Sequence, residues 1–129
     1  NRDIRVDAQF EGNSEGEVTV SGDRGRITEV IDNLLGNAIK FTESGGTITV
    51  TLERRDGNAV ISVRDTGAGI DPEIMPKLFS KFITKSAQGT GLGLFISKSI
   101  IEAHGGRIWA ENDAGKGATF TFSLPLATP

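Results

Sequence analysis

Between Ile27 and Phe41 apolar residues recur at helical spacing, and this run limits the fold more than any other part of the 129-residue chain. At about 100° per residue, Ile27, Val30, Ile31, Leu34, Ala38 and Phe41 fall on one side, which predicts a helix with that face in the core. The opposite strip carries Glu29, Asn33, Asn37 and Lys40. A solvated helix face ordinarily carries Glu, Lys and Arg, because asparagine competes with the helical backbone for hydrogen bonds. Two asparagines one turn apart, with a lysine on the following turn, run against local propensity, as residues at functional sites often do. Taken by itself, a merely exposed polar face also explains the strip.

The segments around this helix read in two periodicities. Ile4, Val6, Ala8 and Phe10 alternate with Arg5, Asp7 and Gln9, a half-buried strand. Residues 12–16 form a turn cluster, Val18 and Val20 suggest a second short strand, and Asp23 stands where an N-cap would open the helix. Ser44-Gly45-Gly46 is expected to stop it through a left-handed glycine cap. Ile48, Val50 and Leu52 on one side of Asp56-Gly57, with Ala59, Ile61 and Val63 on the other, are a hairpin signature. Pro72 suits the first turn of a short helix opened by Asp71 and carrying Leu78 and Phe79. From Ser80 to Gln88 periodicity lapses, predicting a surface loop that could serve as a lid. Gly91 and Gly93 open another helix, with Leu92, Phe95, Ile96, Ser99, Ile100 and Ala103 inward, and His104-Gly105-Gly106 ends it. Strands over residues 107–111 and 118–124 flank a last glycine turn. Helices interleave with strands that are partly joined by hairpins, so the sheet should be mixed.

Composition removes several chemistries. The chain has no cysteine, which excludes disulfides, thiolate zinc sites and cysteine nucleophiles. No long apolar run or secretory-type N-terminus is present, so a cytoplasmic location is expected. The net charge of −3 with dispersed Arg and Lys argues against nucleic acid as a partner. Residues 1–129 are expected to form one domain with an ordinary core.

Two glycine-rich runs hold the remaining chemistry. In Asp65-Thr66-Gly67-Ala68-Gly69 a carboxylate leaves a hydrophobic strand, able to accept a hydrogen bond from a donor such as a purine amino group. Gly67 and Gly69 would let a flat ring approach the backbone. An Asx-type turn ending the strand is the plainer alternative. In Gly89-Thr90-Gly91-Leu92-Gly93-Leu94 the glycines precede and enter a helix, where free N–H groups and the helix dipole favour an anion. The run lacks the Gly-Lys-Ser/Thr of a P-loop and does not follow an early strand as a dinucleotide fingerprint would.

In combination these features resemble the ATP-binding catalytic domain of sensor histidine kinases, in the superfamily shared with gyrase, Hsp90 and MutL. Asn-Leu-Leu-Gly-Asn-Ala-Ile-Lys-Phe-Thr (33–42) looks like the N box and Asp-Thr-Gly-Ala-Gly-Ile (65–70) like the first glycine box. Phe-Ser-Lys-Phe (79–82) looks like the F box and Gly-Thr-Gly-Leu-Gly-Leu (89–94) like the second glycine box. Residues 102–111 are also typical, and the likeness covers nearly the whole chain. It implies an α/β two-layer sandwich of the Bergerat type: a mixed, mostly antiparallel sheet of about five strands on about three helices, with an ATP lid. ATP and Mg²⁺ would be the cofactors. Asn37 would bind Mg²⁺ through its amide oxygen, Asn33 would sit beside the phosphates and Lys40 would touch one, these three being the catalytic set. Asp65 would hold the adenine amino group beside Gly67 and Gly69, with Ile70 and Leu92 walling the base. Gly89, Thr90, Gly91 and Gly93, with the adjoining Leu94, would close over the phosphates.

The resemblance also bears on reaction type. In the ATPase branches the position matching Asn33 is a Glu that activates water; an asparagine cannot take that proton at neutral pH. Hydrolysis is therefore expected to be slow, with the γ-phosphoryl group kept for a histidine. Glu29, one turn earlier, is a substitute base of second rank. His104, the one histidine, is expected to be a structural cap. The family's acceptor lies on a helical dimerisation hairpin absent from this sequence, which would then be part of a larger sensor kinase acting through a response regulator. The isolated domain would be a monomer. Many relatives carry an aromatic-Arg pair after the second F-box Phe; here Phe82 precedes Ile83-Thr84-Lys85, leaving Lys85, or secondarily Lys81, as a point charge for phosphate. Phe79 and Phe82 could be core residues or lid anchors, and Trp109 is expected in the core or on the sheet. The alternatives are a nucleotide-binding regulatory module without transfer, and a serine kinase or ATPase on the same scaffold.

Overall fold

The long helix forms as α1 (Arg24–Phe41) in the computed structural model, which describes residues 5–11, 20–81, 93–113 and 117–127. Asp23 is its N-cap, the carboxylate accepting from the Arg26 N–H at 3.1 Å. Val30, Leu34 and Ala38 are buried, with Ile27 and Ile31 packed at the core's edge. Phe41, expected in the core, is 48% exposed. It is the last helical residue, and there the backbone makes the close approach: a Cβ on Gly67 would lie 2.2 Å from the Phe41 carbonyl oxygen. The helix also ends without the expected glycine cap. Thr42 is extended (φ −94°, ψ 130°) and its hydroxyl donates to the Ala38 carbonyl at 2.6 Å, satisfying an end group that glycine caps otherwise serve. Gly45 takes its positive φ of 87° later, inside the following turn.

Five strands make one sheet: β1 (Arg5–Glu11), β2 (Thr47–Arg55), β3 (Asn58–Asp65), β4 (Arg107–Asn112) and β5 (Ala118–Pro125), in the order β1-β2-β3-β5-β4. β1 runs parallel to β2, which α1 separates from it in sequence, and the other pairs are antiparallel. The sheet is thus mixed and mostly antiparallel, as expected. Asp56 (φ 51°) and Gly57 (φ 79°) are both left-handed, the conformation that lets a two-residue turn follow the strand twist. Ile48, Val63, Phe120, Phe122 and Leu124 line the face under the helices. On the other face the register sets Thr51, Ser62, Thr121 and Trp109 in one row, with the Arg107 guanidinium 5.7 Å from the Trp109 ring. Of the second short strand, Val20 makes an isolated antiparallel bridge to Leu126, and Val18 lies outside the described residues.

The expected short helix after Pro72 shrinks to a single 3₁₀ turn, Met75–Lys77. Pro76 is the reason: it brings no N–H to an i−4 carbonyl, and its ring crowds that carbonyl. Among the described residues, two α-helices and this turn therefore stand where about three helices were expected. Leu78 is buried and Phe79 packs against the core.

α2 (Gly93–Ala103) buries Ser97, Ile100 and Ile101, whereas Ser99 and Ala103, expected inward, are exposed. The helix packs on α1 as well as on β4 and β5, which rotates its buried stripe away from the face that apolar spacing suggests. Its end is a Schellman turn, with Gly105 at φ 80°, Gly106 N–H on the Ile101 carbonyl (2.9 Å) and Gly105 N–H on that of Glu102 (3.0 Å). His104 sits at this end. Its Nδ1 donates to the Ile100 carbonyl at 2.8 Å, so Nε2 is the lone-pair atom that accepts from the Asp23 N–H at 3.0 Å. The histidine clips the end of α2 to the start of α1.

Candidate functional site

Asp65 is the last residue of β3 and is 6% exposed. Its Oδ1 accepts from the Gly67 N–H at 2.8 Å. Burial pushes its carboxyl above the ordinary 3.8; the Gly67 and Ala118 N–H groups pull back, and the charge on Asp113 pushes up again. A carboxylate has about four acceptor positions, so this one retains capacity for a ligand donor.

The turn after Asp65 is wedged between two other parts of the chain. Gly67 meets the Phe41 carbonyl at the end of α1, as described above. Gly117 has φ 88°, and a Cβ there would lie 2.1 Å from the Asp65 carbonyl oxygen. Gly69 has φ 86°, and its Cβ would lie 2.9 Å from Asn112 Oδ1. The glycine at position 67 is thus required by the protein's own backbone, a reason different from the approach of a flat ring. Asn112 pairs with both backbone groups of Ile70: Oδ1 accepts from its N–H at 2.6 Å and Nδ2 donates to its carbonyl at 2.9 Å.

The polar strip of α1 is half-buried at Glu29, Asn33, Asn37 and Lys40. Asn33 Nδ2 donates to the Gly93 carbonyl at 3.2 Å and to the Ser97 hydroxyl at 3.1 Å, tying α1 to the first turns of α2. Asn37 stands one turn further along. Lys40 Nζ lies 5.8 Å from the Phe41 ring centre. Glu29 accepts from Arg26 at 3.3 Å in a surface ion pair, which gives a substitute base there no support.

α1 therefore has the Asp65 turn at its C-terminal end and the start of α2 beside Asn33. Ile70 and Leu94 both pack at the edge of the common core. Phe82, Lys85, Gly89, Thr90, Gly91 and Leu92 lie outside the described residues. Lys81 sits over the Phe95 ring at 5.0 Å. Three residues of this arrangement were not singled out for the site from the chain by itself: Ser97, Asn112 and Gly117. A polar residue ending a strand just before a glycine turn is the signal that could have found Asn112. Among the described residues no group of His, Cys, Asp and Glu could hold a metal.

The chain is similar in sequence and in fold to known proteins. Residues 22–128 match the family model described as histidine kinase-, DNA gyrase B-, and HSP90-like ATPase. The chain is 40% identical over 117 residues to the sensor histidine kinase WalK of Bacillus subtilis, a match covering 84% of this chain and 19% of that protein. The catalytic domain of histidine kinase ThkA, in a nucleotide-free form, aligns at 40% identity with a TM-score of 0.83, covering 95% of this chain and 78% of that one. ThkA in complex with the response regulator protein TrrA aligns at 39% identity with a TM-score of 0.77, covering 95% of this chain and 34% of that one.

Proposed function

The chain belongs to the histidine kinase-, DNA gyrase B- and HSP90-like ATPase family and is homologous to sensor histidine kinases, and from this premise we propose that it binds ATP with Mg²⁺ and donates the γ-phosphoryl group to a histidine on a separate helical hairpin. The observation that carries this reading is the pairing of Asn33 with Gly93 and Ser97. Its amide nitrogen donates to a backbone carbonyl. A carboxylate base in its place would face that carbonyl's lone pairs, so this position suits an amide and supplies no proton acceptor for water.

The residues then act by position. Asp65 accepts from the adenine amino group, and Ile70 walls the base. Asn33 and Lys40 border the phosphates, and Asn37 offers a neutral amide oxygen, a hard donor that fits Mg²⁺ sharing its shell with phosphate oxygens and water. Mg²⁺, when bound, offsets phosphate charge. The fold holds the nucleotide so that an imidazole nitrogen attacks the γ-phosphorus in line as the bond to the β-phosphate oxygen breaks. We place a response regulator downstream, in keeping with the ThkA–TrrA complex. The setting is then the cytoplasm; no described helix is long and apolar enough to cross a membrane. As an isolated domain the chain would be a monomer.

Two measurements test the proposal. Calorimetric titration with ADP, ATP and GTP, with and without Mg²⁺, should show adenine-selective binding that weakens in Asp65→Asn. Label from γ-labelled ATP should then reach histidine on a phosphoacceptor hairpin supplied in trans. Tight binding without transfer would favour the regulatory module, and absence of adenine binding would overturn the reading.

A further inference from the structure

β3 stops pairing at Asp65, yet the chain beyond it is still held to the sheet. Asn112, the last residue of β4, does this with a side chain. Its amide accepts from the Ile70 N–H at 2.6 Å and donates to the Ile70 carbonyl at 2.9 Å, the two bonds that a neighbouring strand would have made. The fit is close, since a Cβ on Gly69 would lie 2.9 Å from the same Oδ1. Asp113 and Gly117 brace the contact. Asp113 N–H bonds the Gly117 carbonyl (3.0 Å), and the Asp113 carboxylate accepts from Thr119 Oγ1 (3.0 Å) and Arg64 Nε (3.2 Å). Gly117 in turn lies against the Asp65 carbonyl.

We propose that Asn112 is a positioning residue for the base-binding turn: its two-point grip on Ile70 sets where Ile70 stands relative to the Asp65 carboxylate, and so governs affinity for the adenine end of the nucleotide. The proposal rests on the nucleotide site proposed above. Asn112 is exposed and contributes no core packing, so water can satisfy the Ile70 groups when it is removed. What is lost is the fixed placement of Ile70, and binding should fall while the fold persists.

The test is calorimetric titration of ADP and of inorganic triphosphate into the wild-type chain, Asn112→Ala and Asn112→Asp, with thermal unfolding of each. Asn112→Asp keeps an acceptor for the Ile70 N–H and turns a carboxylate toward its carbonyl. The expected result is an ADP affinity lower by about tenfold in Asn112→Ala and by a smaller factor in Asn112→Asp, with unchanged stoichiometry and melting temperature and no change for triphosphate. Equal ADP affinity in wild type and both variants would overturn the positioning role and leave the nucleotide site standing. Weakening that tracks a fall in melting temperature in both variants, or that is equal for ADP and triphosphate, would overturn it in favour of a structural role. A wild-type chain that binds no adenine nucleotide would overturn the underlying site and this inference with it.

Discussion

Asn33 and Ser97, 64 residues apart in sequence, share a hydrogen bond of 3.1 Å in which the asparagine amide donates and the serine oxygen accepts. Ser97 is fully buried, and the same amide nitrogen reaches the Gly93 carbonyl. One side chain thus joins the polar strip of α1 to the helix that follows the second glycine run. Asn33→Asp would set a carboxylate against that carbonyl. The variant should lose about 1–3 kcal/mol of stability and gain no rapid ATP hydrolysis. Thermal unfolding and phosphate release on one sample check both, and a stable variant with fast turnover would contradict the role assigned to Asn33.

Asp65→Asn separates stability from binding. Burial raises the folded-state pKa of Asp65, so the folded chain holds that proton more tightly than the unfolded chain does. Its favourable contribution is full below the ordinary 3.8 and is lost as pH rises through the raised value. At neutral pH the desolvated charge is a net cost to the fold, and Asp65→Asn should melt no lower than wild type and show a flatter dependence of melting temperature on pH across this acid window. Nucleotide affinity in wild type should rise with pH through the same window, because the ligand donor needs the ionised acceptor. Unfolding scans and titrations over one pH series measure both.

Gly36 lies exposed in the middle of α1, and a Cβ there would meet nothing within 4 Å. Gly36→Ala should stabilise the chain by about 0.5–1 kcal/mol through helix propensity and the unfolded-state entropy alone. A denaturant midpoint that falls would show that this face of α1 needs glycine for a reason outside the described contacts.

Gly117→Ala should do the opposite. Its positive φ and the Asp65 carbonyl 2.1 Å from the new Cβ leave no relaxed position, because the neighbour is backbone. A loss of about 2 kcal/mol or more is expected, with ADP binding reduced even where the variant folds. Chemical denaturation and titration of the folded fraction would test this.

Removing the clip at His104 should cost less. His104→Ala leaves the exposed Asp23 N–H to water and removes the half-buried Nδ1 bond to the Ile100 carbonyl. About 1 kcal/mol of stability should be lost, with nucleotide affinity unchanged, as followed by thermal unfolding and titration.

Much of the fold was legible because its signals are short-range. The Asp23 cap, the Asp56-Gly57 turn and the glycine end of α2 each depend on residues within about five positions of one another. The apolar positions spaced along β2 and β3 marked the hairpin that carries part of the face under the helices. Failures occurred where a distant contact outweighed the local rule. Phe41 follows the apolar spacing yet is exposed, since the end of α1 presents its backbone to Gly67. Ser99 was expected inward on apolar phase, but α2 also packs on α1, and Ser97 is the serine that meets Asn33. Pro76 shortened a helix that Pro72 was expected to open.

The sequence by itself determined the two periodicities, the glycine runs and the acidic and amide residues at strand and helix ends, because each is a property of neighbours along the chain. Only the tertiary structure decided which of these meet. Placing β5 between β3 and β4 brings the end of β4 and the start of β5 to the end of β3, so that Asn112 reaches Ile70 across 42 residues and Gly117 meets Asp65. Strand order sets such partners, and it is not encoded in a local pattern. In the order found, the polar groups at these strand ends meet partners: Asn112 meets Ile70, and Asp113 meets Thr119 and Arg64.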